Sequence, residues 1–203
     1  LFVFSGNDQA AVRNPRPLTI KDAEALADPF AAPSVAAVAP VLQGQHEVAA
    51  GGEKTRVAVN GVVPVHQQVR SESLSEGEFI NESHILGRAS VAVIGPETAD
   101  KLLGGHEGIV GETIRINGQP FRIIGVLASK GGGSFGSQDN RVLVPFSTAQ
   151  SRLMKGQTAD SVDIIYVQAV SADATTQAAE EVTQILRARH RTEIGPDDFN
   201  VFS

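Results

Sequence analysis

The stretch Arg88-Ala-Ser-Val-Ala-Val-Ile-Gly-Pro-Glu-Thr-Ala-Asp-Lys-Leu-Leu-Gly-Gly105 decides how this chain is read. Residues 90–94 are a short apolar run, the length of a buried strand. Gly95-Pro96 then starts a helix, because proline's fixed φ and missing N–H are tolerated at the first helical position. Ala99, Leu102 and Leu103 supply its inner face, and Gly104-Gly105 stops it. Next comes Gly111-Glu-Thr-Ile-Arg-Ile-Asn-Gly-Gln-Pro-Phe-Arg-Ile-Ile-Gly-Val126. It predicts two strands, 113–117 and 119–126, across Asn117-Gly118, the strongest two-residue hairpin signal. Ile114 and Ile116 face Phe121 and Ile123 in that pairing.

Working outward toward the start, residues 19–28 predict a short helix capped by Thr19, with Asp22 at the third position and Pro29 as the stop. Residues 35–41 read as a strand interrupted at Pro40, hence an edge or bulged strand. Strands 43–50 and 54–62 are joined across Gly51-Gly52. In the second, Thr55, Val57 and Val59 alternate with Arg56, Ala58 and Asn60, the period of a half-buried antiparallel strand. Residues 66–87 are polar and irregular, pinned by Leu74, Phe79 and Ile80.

Toward the end, residues 128–140 read as a long loop and 141–144 as a strand. Ser147-Thr-Ala-Gln150 has the form of a capping box for a helix reaching Met154. Residues 160–169 read as a strand and 173–190 as the longest helix. In that helix Ala178, Val182, Ile185, Leu186 and Arg189 fall at helical spacing. Residues 198–201 make a last strand. This order predicts an α+β fold with a helix layer on a sheet. Residues 65–140 form an inserted, smaller β-rich lobe, and 1–64 with 141–203 form the outer α/β lobe.

Composition excludes several functions. The formal charge is −6 with no basic run, a poor match to nucleic acid, whose backbone is recognised by clustered Lys or Arg. The absence of cysteine excludes disulfides and thiolate metal sites. No 18-residue apolar stretch offers a membrane span. The ends, Leu1-Phe-Val-Phe-Ser5 and Phe199-Asn-Val-Phe-Ser203, read either as ordinary terminal strands or as the cut edges of a domain from a longer, membrane-bound chain.

The residues with chemical potential point away from catalysis. Lys130-Gly-Gly-Gly-Ser-Phe-Gly136 resembles a phosphate loop only in its glycines. Its lysine comes first and a strand follows, whereas a P-loop ends in Gly-Lys-Ser/Thr before a helix. Gly131, Gly132, Gly133, Ser134, Phe135 and Gly136 are therefore read as a partner-contacting loop or a flexible tip. Phe135 either anchors the partner or packs back on its own lobe. His46, His66, His84, His106 and His190 lie in different elements without metal-ligand spacing. Ser134 and Ser151 lack a nucleophile elbow. Asp197-Asp198 and Glu180-Glu181 read as solvated faces. The cluster Arg187, Arg189, His190, Arg191 suits a helix C-terminus, with lipid headgroups as the alternative. No catalytic, cofactor-binding or metal-binding residue is assigned, and a soluble hydrolase is disfavoured.

The chain resembles the periplasmic core domain of MacB-like ABC transporter permeases, in the MacB/FtsX-like permease family. The resemblance is carried by Leu18-Thr19, Val35-Ala-Ala-Val-Ala-Pro40, Val91-Ala-Val-Ile-Gly-Pro96, Gly111-Glu-Thr-Ile-Arg-Ile-Asn-Gly118, Phe121-Arg-Ile-Ile-Gly-Val126 and Val142-Leu-Val-Pro-Phe-Ser-Thr-Ala-Gln150. It implies a domain between the first two transmembrane helices of a permease, on the periplasmic face of the inner or cytoplasmic membrane. It also implies a porter-like α/β lobe made by both chain ends and an inserted Sabre-like β-rich lobe. The partners implied are an ATPase domain or subunit acting through the transmembrane helices, a periplasmic adaptor protein in some members, and a second permease copy as homodimer or paralogous heterodimer. The domain itself would be non-catalytic and bind no cofactor, relaying ATP-driven motion to a partner protein or exported substrate. The alternative is a stand-alone extracytoplasmic binding or sensor module of the same fold.

Overall fold

The computed structural model describes residues 1–6, 16–133, 136–154, 160–192 and 196–203. In chain order the elements are β1 (Phe2–Ser5), β2 (Leu18–Thr19), α1 (Ile20–Leu26), β3 (Val35–Ala50), β4 (Glu53–Val62), α2 (His66–Val69), β5 (Leu74–Gly77), α3 (Glu82–Leu86), β6 (Val91–Ile94), α4 (Pro96–Leu103) and β7 (Thr113–Ile116). They continue with β8 (Gln119–Leu127), β9 (Gly132–Gly133), β10 (Gly136–Ser137), β11 (Arg141–Pro145), α5 (Phe146–Thr148), β12 (Ser161–Val162), β13 (Ile164–Ala169), α6 (Thr175–His190) and β14 (Phe199–Phe202). The fold is α+β, and the chain divides into two compact units. Among the described residues no helix is long and apolar enough to cross a membrane.

Unit 1 is Leu1–Val41 with Gln157–Ser203. Its strands lie in the order β14, β1, β13, β3, all antiparallel. Val3, Ile165, Val167 and Phe199 are buried, as is the helical stripe Ala178, Val182 and Leu186 of α6. Phe2 and Phe202 pair across β1 and β14 with ring centroids 5.4 Å apart, and Phe4 meets Phe202 edge-on at 6.0 Å. Helix α1 starts as its sequence dictates. The Asp22 N–H donates to Thr19 Oγ1 at 3.1 Å, and the Thr19 N–H donates back to Asp22 Oδ2 at 3.0 Å. Pro40 does not interrupt β3, which is continuous. It pairs with Ile165 in the half of β3 where β13 is the neighbour, an edge position where a missing N–H costs no ladder bond.

Unit 2 is Leu42–Gly156. Residues 42–50 of β3 pair with β4, β4 runs parallel to β11, β11 pairs with β6, and β6 runs parallel to β8. The β7–β8 hairpin then returns to β3 through Val48 and Ile116, closing a ring of six strands. The hairpin turns at Asn117-Gly118, with φ of 50° and 79°. Val48, Val59, Ile114, Ile116 and Ile123 are fully buried, and Phe121 nearly so. Strand β5 flanks β8 on the side it shares with β7. Helix α4 starts at Gly95-Pro96 and ends at Gly104 in the left-handed region, as expected.

The compact units meet at 41/42 and 156/157, and the lobes expected from the sequence at 64/65 and 140/141. The difference is β3's second half, β4 and β11, whose ladder partners lie within the ring. Two other expectations, at Ser147 and at residues 160–169, are corrected. Ser147 does not cap a helix. Its hydroxyl donates to the Ile85 carbonyl at 2.6 Å, α5 begins one residue earlier, and the following turn is wide, with the Met154 N–H reaching the Ala149 carbonyl at 2.9 Å. The strand expected at 160–169 is broken at Asp163 into β12 and β13.

Candidate functional site

Residues 128–140 connect β8 to β11, and the structure gives them more order than a plain loop. Gly133 pairs with Gly136 and Gly132 with Ser137, forming a small antiparallel ribbon, β9–β10. Gly131 enters it at φ +76° with open space around it. Of the six residues expected to contact a partner, Gly131, Gly132, Gly133 and Gly136 belong to this ribbon or its entry. Ser134 and Phe135 lie outside the described residues.

The root of the ribbon is tied down by residues the sequence reading did not single out. Asp139 accepts from the Ser129 hydroxyl at 2.6 Å and the Lys130 N–H at 2.7 Å, so one carboxylate clamps both legs. Burial opposes ionisation of Asp139, but the Ser129 hydroxyl and the N–H groups of Lys130 and Gly131 outweigh it and hold the carboxyl below its usual value. The Asp139 carbonyl also accepts from the Glu97 N–H at 3.1 Å, in the first turn of α4. This approach explains Gly95. A Cβ there would stand 2.2 Å from the Asp139 oxygen, so any side chain would push the root away from α4.

Below the root lies a buried ion cluster. The Glu72 side chain is fully enclosed. Arg141, the first residue of β11, donates to it from Nη1 at 2.8 Å and Nη2 at 2.6 Å, and Lys130 Nζ adds a third contact at 3.2 Å. Burial alone would raise the Glu72 carboxyl, but the two cations outweigh it and keep it ionised. Lys130 also donates to the Arg70 carbonyl at 3.3 Å, which ties the ribbon to the α2–β5 segment. His66 of α2 is buried nearby, and burial pushes its ring down to about 4 with Glu72 partly opposing. No sequence signal marks Glu72 as internal, since the run 66–87 reads as uniformly polar.

Unit 1 holds a second buried polar cluster. His190, the last residue of α6, places Nε2 2.8 Å from Asp22 Oδ2 and Nδ1 2.8 Å from Asp198 Oδ1. Arg189 Nε donates to Asp22 Oδ1 at 2.7 Å, and the Arg16 N–H donates to Asp198 Oδ2 at 3.1 Å. Asp22, His190 and Asp198 are each at most 6% exposed. The hydrogen bond to Asp22 is the largest influence on His190 and raises it; Asp198 adds to this, and burial opposes it. Burial would raise Asp22, but His190 and Arg189 hold it low. The expectation that Asp197-Asp198 and Glu180-Glu181 are solvated faces is therefore corrected. Asp198 belongs to this cluster, and Glu181 is buried and accepts from the Ser34 N–H at 2.8 Å. Three of the four residues in the basic cluster are likewise engaged. Arg187 grips Asp197 at 2.8 and 3.0 Å, while Arg189 and His190 turn to Asp22.

Comparison with known proteins gives these sites their setting. A family model described as the MacB-like periplasmic core domain matches residues 1–185. A macrolide export ATP-binding/permease protein, MacB, from Bdellovibrio bacteriovorus is 34% identical over 168 residues, covering 82% of this chain and 25% of that protein. The chain thus spans about a quarter of the length of the curated relatives it matches. The extracellular domain of the noncanonic ABC-type transporter YknZ from Gram-positive bacteria superposes with a TM-score of 0.78 at 20% identity, covering 100% of this chain and 99% of that one. The periplasmic region of MacB from Actinobacillus actinomycetemcomitans also gives 0.78, at 22% identity, covering 98% and 86%. Matched along most of its length, the chain belongs to the MacB-like periplasmic core domain family and is an extracytoplasmic domain of an ABC transporter permease.

Proposed function

We propose that this domain relays ATP-driven conformational change across the membrane to a partner protein or exported substrate, with the ribbon 131–136 as a point of contact. The observation that carries the reading is the fastened root. Glu72, Arg141, Lys130 and Asp139 hold both legs of the ribbon against the ring of unit 2. A glycine-rich segment free at its base would dissipate displacement, because each glycine adds backbone freedom. A segment clamped at its base transmits it. The matched relatives are named as ATP-binding/permease proteins, which supports an ATPase domain or subunit as the source of motion.

In this reading unit 1, built from both chain ends, is the porter-like lobe, and unit 2 is the Sabre-like lobe. The outward partners are a periplasmic adaptor protein and a second permease copy, as homodimer or paralogous heterodimer. Coupling of this kind needs two global states with different contacts. The test is a photoreactive amino acid in place of Phe135 in the full transporter, produced in its native host. Irradiation is expected to give a discrete protein adduct that a probe in place of exposed Glu53, the first residue of β4, does not give. Equal labelling at both positions would overturn the contact.

A further inference from the structure

We propose that unit 1 carries a proton-operated latch, in which His190 must bear protons on both ring nitrogens to hold Asp22 and Asp198 together, and in which loss of one proton releases Asp198 and the strand β14 behind it. The geometry leaves little choice. Each ring nitrogen faces a carboxylate oxygen at 2.8 Å, and a neutral imidazole can donate from only one of them. In the neutral ring the other nitrogen would set its lone pair against a carboxylate. With the imidazolium, two carboxylates meet one imidazolium and the Arg189 guanidinium, so the buried charges cancel.

The two carboxylates are not held equally, which fixes the side that opens. Asp22 is kept by Arg189 Nε at 2.7 Å and by the Thr19 N–H at 3.0 Å as well as by His190. Among the described residues, Asp198 has the Arg16 N–H at 3.1 Å besides His190. The neutral ring therefore keeps its proton on Nε2, toward Asp22, and leaves Nδ1 bare toward Asp198. Asp198 directly precedes β14, its carbonyl accepts from the Gly6 N–H at 2.7 Å, and the ring of Phe199 stands edge-on to His190 with centroids 6.0 Å apart. Release of Asp198 thus loosens the start of β14 and its pairing with β1.

Among the described residues, the charged groups facing the ring are Asp22 from α1, Arg189 from α6 and Asp198 from the segment before β14. Arg187 and Asp197 neutralise each other beside it. A shallow cleft of about 270 Å³ lined by Arg16, Thr19, Asp22, Arg189 and His190 opens next to the cluster, so protons reach it without global unfolding. A domain on the outer side of the membrane meets the pH of its surroundings, and this cluster couples that pH to the seating of the C-terminal strand.

The experiment uses the 203-residue chain, since the solved YknZ extracellular domain that it matches end to end shows that domains of this fold stand alone. Two-bond proton–nitrogen spectra of the His190 ring are recorded from pH 6 to 10, with amide exchange of β14 corrected for its intrinsic rise with pH. At pH 7 both nitrogens are expected to be protonated. At alkaline pH the ring is expected to convert to the Nε2–H form while β14 exchange rises by more than about tenfold. In Asp198→Asn the ring is expected to lose its proton at lower pH, and β14 exchange to stop tracking that event. A neutral ring at pH 7, an Nδ1–H form at high pH, or β14 exchange indifferent to the His190 transition would each overturn the latch. The wild-type titration decides the matter even if the variant fails to fold.

Discussion

The two buried ion clusters balance their carboxylates with different cations, and of these cations only the imidazolium titrates near neutral pH. At the root of the ribbon, Glu72 is matched by a guanidinium and an ammonium, which keep their charge throughout the physiological range. In unit 1, Asp22 and Asp198 are bridged by an imidazole, which does not. His190 is raised, so its contribution is complete below about pH 6.5 and is lost as pH rises through its folded value. His66, beside the Glu72 cluster, is depressed to about 4, so its contribution is complete above about pH 6.5 and is lost as pH falls through 4. Between about pH 4 and 6.5 unit 2 weakens through His66, and in alkali unit 1 weakens through His190. A permanently charged clamp suits a segment that must stay rigid, and a titratable one suits a segment that must let go.

The sharpest way to break this contrast is to remove the permanent cation. Arg141→Ala leaves the enclosed Glu72 with Lys130 alone and is expected to cost about 3 kcal/mol, read as a fall in the urea midpoint. The double apolar variant Glu72→Met with Arg141→Met is expected to recover most of that loss, because the enclosed carboxylate is gone and Lys130, a quarter exposed, turns its ammonium to solvent. If the double variant is as unstable as the single one, packing rather than charge explains the site.

Next in size is the acid limb of unit 2. Between pH 6.5 and 4 the ring strands are expected to lose about 3 kcal/mol of protection, because the opened chain takes up a proton at His66 that the folded ring refuses until about pH 4. Amide exchange at β11 and β4 reports it, and His66→Gln should flatten the dependence there while leaving β14 unchanged. A flat β11 profile in the parent chain would remove the contrast.

Smaller, at about 1–3 kcal/mol, is the effect of Gly95→Ala. Its Cβ would press on the Asp139 carbonyl at 2.2 Å, so exchange should quicken at Lys130 and Glu97 before it does elsewhere. Uniform quickening across unit 2 would show that the approach of α4 does not locate the ribbon.

Local chemistry explains which parts of this were legible in the sequence. The Asn117-Gly118 hairpin, the Thr19–Asp22 capping box and the Gly95-Pro96 helix start each depend on residues within a few positions of one another, so they could be read directly. The unit boundary depends on β4 running parallel to β11, about 80 residues further on, and nothing local in either strand records that partner. Ser147 has the right spacing for a cap, but a carbonyl 62 residues away competes for its hydroxyl and wins. The ion clusters were hidden for the same reason. Glu72 is separated from Arg141 by 69 residues and Asp22 from His190 by 168, and a buried carboxylate is spelled with the same letter as a solvated one. Of the ribbon, its glycines could be read; the carboxylates and cations that fix its root could not.

The proposed relay requires the ribbon's root to move when the transporter binds ATP. Spin labels at exposed Gln138, one in each copy of the full-length permease, would give the distance between the two roots in the nucleotide-free state and in an ATP-bound, hydrolysis-blocked state. Two resolved distance distributions that interchange with nucleotide are expected, and Arg141→Ala is expected to broaden both. A single distribution, unchanged by ATP while the ATPase halves close, would contradict the relay.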